Sequence, residues 1–183
     1  MTFTLSKALE GIAEERSESL LDQIRDNNDR SNRKIVVLDD DPTGTQTVYD
    51  IPVLTTWGVD ELAAAFKSPG NLFYVLTNSR SLTEPKAIEL ANEIGANLNE
   101  AAQQTKQRFV VVSRSDSTLR GHYPAEVDAI AAAVGTSDAV HVIAPFFLQG
   151  GRYTIGDVHY VAEDEQLIPA AETPFAHDAA FGF

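Results

Sequence analysis

From Lys34 onward the chain alternates short, β-branched apolar runs with longer stretches in which apolar residues recur every three or four positions. KIVVL, IPVLTT, NLFYVLT, RFVVVS and AVHVIAP have the length and composition of strands. Between them VDELAAAFK, EPKAIELANEIGANLNEAAQQTKQ and PAEVDAIAAAV, rich in Ala and Glu, read as amphipathic helices. Strands separated by helices cannot pair as hairpins. The alternation therefore predicts an α/β fold, a mostly parallel Rossmann-like sheet with helices on both faces.

The flanks differ. Leu5, Leu9, Ile12, Leu20, Leu21 and Ile24 recur at near-helical spacing among acidic residues, so the first ~28 residues read as one amphipathic helix, a packing or dimer element, with DNNDRSNR as a linker. This divides the chain into residues 1–33, helix and linker, and 34–183, the α/β domain. After Pro145, RYTI and VHYV flank Gly156-Asp157, a two-residue turn signal that predicts a C-terminal β-hairpin. The last segment, EDEQLIPAAETPFAHDAAFGF, has no clear period and reads as the edge of a longer protein.

Composition narrows the partners. The 183 residues are enough for one core, and a domain of that size buries roughly 70% of the surface its unfolded chain exposes. No run approaches the ~18 apolar residues of a membrane span, and the N-terminus lacks a basic-then-apolar leader, so a cytoplasmic protein is expected. A net charge of −13 opposes nucleic acid and anionic membranes, although a small anion can still be held by local Arg and backbone N–H groups. Without cysteine there is no thiolate chemistry. His122, His141, His159 and His177 are scattered and form no HExxH pair, so no zinc site is read. Trp57 and Phe146-Phe147 read as core or interface residues.

Strand C-termini in a parallel sheet share one edge, and ligands bind outside it. Asp39, Asp40, Asp41, Thr43 and Gly44 follow the first strand, Thr77, Asn78, Ser79 and Arg80 the third, and Ser113, Arg114, Ser115, Asp116 and Arg120 the fourth. Folding thus collects carboxylates, hydroxyls and guanidinium groups from distant positions. Carboxylates accept hydrogen bonds from sugar-type hydroxyls, and Arg80 or Arg114 can take a carboxylate or phosphate through paired N–H donors. The expected ligand is a small, anionic polyhydroxy acid.

Two resemblances follow from these residues. Asp39-Asp40-Asp41-Pro42-Thr43 resembles the nucleophile loop of haloacid-dehalogenase-type phosphatases, which implies Asp39 as nucleophile, Asp41 as acid/base and Thr77 as the later hydroxyl. That family's late acidic pair is missing, since the matching strand ends in SRSD. LDDDPTGTQTV, TNSRS, SRSDSTLRGHYPAE and APFFLQGGRYTIGDVHYV, in this order, resemble the N-terminal domain of the four-carbon acid sugar kinase family, from about Lys34 to Phe183. This resemblance implies phosphoryl transfer from ATP to a hydroxyl of an erythronate- or threonate-type acid, with ATP and Mg2+ held mainly by a separate C-terminal domain. It puts Asp40 and Asp41 on substrate hydroxyls and Arg80 on the substrate carboxylate. Ser113, Arg114, Ser115 and Asp116 line the same pocket, and Arg120 faces the phosphoryl group or shapes the turn. Asp41 or Asp116 is the implied general base. No glycine-rich nucleotide segment is present, so the chain is expected to be a piece that binds a sugar acid without turning over ATP, as a truncated or split form would.

Overall fold

Arg33–Asp39 (β2) is the strand on which the larger part of the molecule is organised. The structure is a computed structural model that describes residues 3–10, 19–46 and 48–177. Along the described chain β1 (Phe3–Thr4) and α1 (Leu5–Leu9) are followed by α2 (Leu21–Ser31) and β2. Then come β3 (Val53–Leu54), α3 (Val59–Lys67), β4 (Leu72–Leu76), α4 (Glu84–Thr105), β5 (Arg108–Arg114) and α5 (Ala125–Ala133). The chain closes with β6 (Arg152–Ile155), β7 (Val158–Glu163) and β8 (Gln166–Pro169). It divides into two units, one of residues 18–115 and 122–139, the other of residues 1–17, 116–121 and 140–183.

In the first unit β2 lies inside a four-stranded, all-parallel sheet of order β3-β4-β2-β5. Its side chains alternate, and Val36 and Leu38 share a face with Phe73, Val75, Phe109 and Val111. Leu62 and Phe66 of α3, Ile94 and Leu98 of α4 and Ile130 of α5 close over that face. Phe66 meets Phe73 edge-on, with centroids 5.4 Å apart. Each fully buried aliphatic or aromatic side chain here contributes roughly 1.5–3 kcal/mol. The sequence suggests helices on both faces, whereas the three helices that supply this cluster share one.

The helix at Glu84–Thr105 begins after Thr83 with Pro85 in its first turn, where the missing N–H costs nothing, and ends at Lys106, whose left-handed N–H caps Ala102. It buries Ala87, Ala91, Ile94, Leu98, Ala101 and Ala102 at three and four spacing. Gly95 interrupts this stripe for a steric reason: a Cβ there would overlap the Cβ of Ala133 on α5.

The second unit is an antiparallel sheet of order β1-β8-β7-β6. The expected hairpin is present, turning at Gly156-Asp157. Gln166–Pro169, which shows no period in the sequence, adds a further strand because its partner β7 supplies a paired backbone edge and Leu167 is fully buried.

Three readings need correction. A single helix over the first ~28 residues is replaced, among the described residues, by a two-residue strand paired with β8 and helices at Leu5–Leu9 and Leu21–Ser31; residues 11–18 lie outside the description. The supposed linker is largely inside the second helix, which buries no residue and ends at Asn32 in the left-handed conformation. AVHVIAP is not a strand: residues 140–144 are exposed and pair with nothing among the described residues.

Gly95→Ala is expected to lower stability by about 1–3 kcal/mol, the overlap with Ala133 outweighing the ~1 kcal/mol that Ala gains over Gly in a helix. Urea denaturation checks this, and Ala133→Gly in the same chain should restore part of the loss.

Candidate functional site

The parallel register ends β2, β4 and β5 together, with Asp39 opposite both Leu76 and Arg114. The loops that leave this edge are tied by their backbones before any side chain is considered. Asp40 N–H donates to Arg114 O at 3.3 Å, Arg80 N–H to Asp40 O at 3.3 Å, and Thr77 N–H to Asp39 O at 2.9 Å. The Thr77 hydroxyl donates to the same Asp39 carbonyl at 3.0 Å.

On that frame Arg80 is buried against two carboxylates. Its Nε and Nη2 donate to Asp40 Oδ2 and Oδ1 at 3.2 and 2.7 Å, a bidentate pair, and Nη1 donates to Asp41 Oδ2 at 2.7 Å. Asp40 Oδ2 also accepts the Ser115 hydroxyl at 2.7 Å. Asp41 Oδ1 accepts both the amide and the hydroxyl of Thr43 at 2.6 Å. Burial alone would raise the Asp41 pKa, but the Thr43 hydrogen bonds and the Arg80 and Arg114 cations outweigh it and hold the carboxyl below the usual range.

Asp39 is the opposite case. Its side chain is 0% exposed, Oδ1 receives only Arg114 Nη1 at 3.3 Å and Asp41 N–H at 3.4 Å, and Oδ2 has no partner. Burial therefore pushes its pKa up, aided by Asp40 and Asp41 and opposed by Arg114 and the Asp41 amide. Gly44 sits directly over this carboxylate, where a Cβ would overlap it. A nucleophile must be open to in-line approach, whereas the Asp39 carboxylate is sealed and Asp41, with 21% of its side chain exposed, is the more open of the two. Of the three aspartates Asp39 is the most deeply buried.

Of the other candidates, Arg114 keeps 38% of its side chain exposed while making the single long contact to Asp39. Ser113 stands exposed on β5 opposite Leu38. Asp116 and Arg120 belong to the second unit and pair with each other, Nε to Oδ2 at 2.9 Å and Nη2 to Oδ1 at 3.2 Å. In that unit His159 Nε2–H donates to Ser117 O at 2.7 Å, leaving Nδ1 to accept the Thr154 hydroxyl at 3.0 Å, so this histidine tethers the Asp116–Gly121 loop.

Sequence reading passed over Glu126 and the structural use of Ser79. Ser79 is fully buried, its hydroxyl accepting that of Thr77 at 3.1 Å, and burial raises the Glu126 pKa, with Asp40 adding to the rise and Ser79 and His122 opposing it. An acidic residue in the first turn after Pro124 was the available signal.

The carboxylates do not form a cation cradle. Arg80, Arg114, Ser115 and Thr43 already occupy most of their oxygens, and among the described residues no group of three His, Cys, Asp or Glu is arranged to hold a metal ion. Mg2+ does not fit this cluster, and no residue here is assigned to it or to ATP. Among the described residues no helix is long and apolar enough to cross a membrane.

Asp40→Asn should cost about 3–5 kcal/mol at neutral pH, because it leaves the buried Arg80 without its bidentate partner. The neighbours have opposite linkage signs. Asp41, held low when folded, contributes stability above the ordinary carboxylate value that is lost as pH falls through its lower folded value. Asp39, pushed up, costs stability increasingly as pH rises from the ordinary value through its raised one. Urea denaturation between about pH 3 and about pH 7 should therefore show the wild-type advantage over Asp41→Asn growing with pH, and that over Asp39→Asn shrinking.

Comparison with known proteins agrees with this architecture. No curated protein matches. Two crystal structures of a domain of unknown function (DUF1537) from Bordetella bronchiseptica, both described as domain-swapped dimers with bound citrate, are 26% identical to this chain. One covers 81% of this chain and 37% of its own at a TM-score of 0.63, the other 83% and 38% at 0.61. The chain thus spans little more than a third of the length of these solved relatives. A family described as the sugar-binding N-terminal domain matches residues 35–183, which is most of the sequence. With its parallel sheet and its polar strand-end cluster, this chain belongs to the sugar-binding N-terminal domain family.

Proposed function

We propose that the chain is the substrate-binding part of an ATP-dependent kinase for four-carbon sugar acids of the erythronate or threonate type, phosphorylating one of their hydroxyls. The observation that carries this reading is the presence of ionised Asp41, held by Arg80, and half-exposed Arg114, held by Asp39, at one sheet edge, two complementary groups for a ligand with hydroxyls at one end and a carboxylate at the other. The bound citrate of the Bordetella structures, a hydroxylated polycarboxylate, supports a ligand of the same chemistry here. ATP and Mg2+ would be held by the longer protein of which such chains form a part, since no residue in this cluster suits them.

Within that reading the residues divide by their engagement. All three Arg80 nitrogens hold Asp40 and Asp41, so Arg80 acts on the ligand through the carboxylates it positions. Arg114, tied to Asp39 at only 3.3 Å, turns to the ligand carboxylate and gains a bidentate partner. Asp41, ionised well into acid, accepts a sugar hydroxyl. Asp40 and Ser115 fix the floor beneath it. Phosphoryl transfer depends chiefly on position and charge neutralisation, and a hydroxyl held by a rigid carboxylate supplies the first of these. The chain also assembles as a dimer in this reading, as the solved relatives do.

Thermal shift with erythronate, threonate and a neutral tetritol tests the assignment. The acids should raise Tm and the tetritol should not; Arg114→Ala should abolish the acid shift and lower the unliganded Tm moderately, because buried Asp39 loses its guanidinium partner, whereas Arg80→Ala should lower the unliganded Tm further. Equal shifts with acid and tetritol, or an undiminished acid shift in Arg114→Ala, would contradict it. No shift with any ligand would favour a non-catalytic interaction module.

A further inference from the structure

The parallel sheet stops one strand short. Its order is β3-β4-β2-β5, so the chain steps from β3 to β4 and then past β2 to β5 in a constant direction, with α3, α4 and α5 on one face. A right-handed crossover from β5 through α5 on that face delivers the next segment to the outer edge of β5. The next segment is Ala139–Pro145, which has the composition of a buried strand and pairs with none among the described residues.

Both halves of the missing pair are unprotected. Val110 and Val112 on β5 are each 44% exposed, and nothing among the described residues pairs with that strand's outer edge. The middle of the strand, Phe109 to Val112, carries neither charge nor Pro to discourage pairing. Val140 and Val142 are 89% and 85% exposed, and Ile143, Phe146, Phe147 and Leu148 are exposed as well. An apolar run of this length in water marks an interaction surface.

We infer that Ala139–Pro145 is exchanged between two copies, each lending it as a fifth, parallel strand on the outer edge of β5 of the other. The second copy is the occupant because the solved relatives, 26% identical to this chain, are described as domain-swapped dimers, and exchange needs a segment that pairs with nothing among the described residues of its own chain. The inference rests on the dimer reading above and adds the element exchanged and its acceptor edge. Strand exchange needs no new interface chemistry, since the pairing is the one a single chain would make.

The absence of cysteine gives a clean test. Single variants Val112→Cys and Val142→Cys, with Val140→Cys as an alternative register, are unfolded together, refolded and oxidised. The expected product is a covalent heterodimer, with amide exchange of residues 140–143 slowed in the wild-type dimer. Val142→Asp should raise the dimer dissociation constant by roughly 100-fold, since an unpaired carboxylate would be buried. A wild-type chain that sediments as a monomer would overturn both the dimer reading and the inference. A stable dimer whose 140–143 amides exchange as in an unfolded chain would leave the dimer standing and overturn the strand assignment. An intrachain disulfide in the double variant Val112→Cys/Val142→Cys would show own-chain pairing and overturn the exchange.

Discussion

Three consecutive aspartates at a strand end repel one another, and the molecule tolerates them because a buried guanidinium stands among them. The Arg80 side chain neutralises Asp40 through two parallel hydrogen bonds and Asp41 through a third. Two desolvated charges are favourable only with such geometry and with their remaining groups satisfied; here Ser115 and Thr43 satisfy them. The arrangement links the loops after β2, β4 and β5, so the shape of the sheet edge depends on this one residue more than on any other.

The same constraint explains why the three carboxylates differ. Asp40 is locked by charge, Asp41 is held ionised by hydrogen bonds at a half-open position, and Asp39 is buried under Gly44 with one oxygen unpartnered. An isolated reading of the acidic run suggests a cation or a phosphoenzyme. Burial and partners instead make the three carboxylates unlike one another, and Arg114, tied only loosely to Asp39, keeps 38% of its side chain exposed.

Much of this was legible in the sequence. VDELAAAFK forms a helix at the residues its periodicity marks, and the strand ends that collect polar residues are the ones the fold brings together. Two elements mislead when read alone. AVHVIAP has strand propensity but no partner in its own chain, and strand formation requires a partner. Gln166–Pro169 lacks propensity but has a partner, and pairing with β7 decides it. The engagement of Arg80 was not readable either, because spacing tells which guanidinium arrives at the edge and not which carboxylate is already waiting there. Glu126 was overlooked for a related reason: its importance comes from burial beside Ser79, a tertiary fact.

Recognition of the ligand turns on which arginine meets it. A crystal structure of the protein with threonate or erythronate decides it most directly. The predicted result is a ligand carboxylate bidentate on Arg114, a ligand hydroxyl on Asp41, and Arg80 still paired with Asp40. A ligand held by an Arg80 that has released Asp40, or one bound away from the C-terminal edge of the parallel sheet, would contradict it.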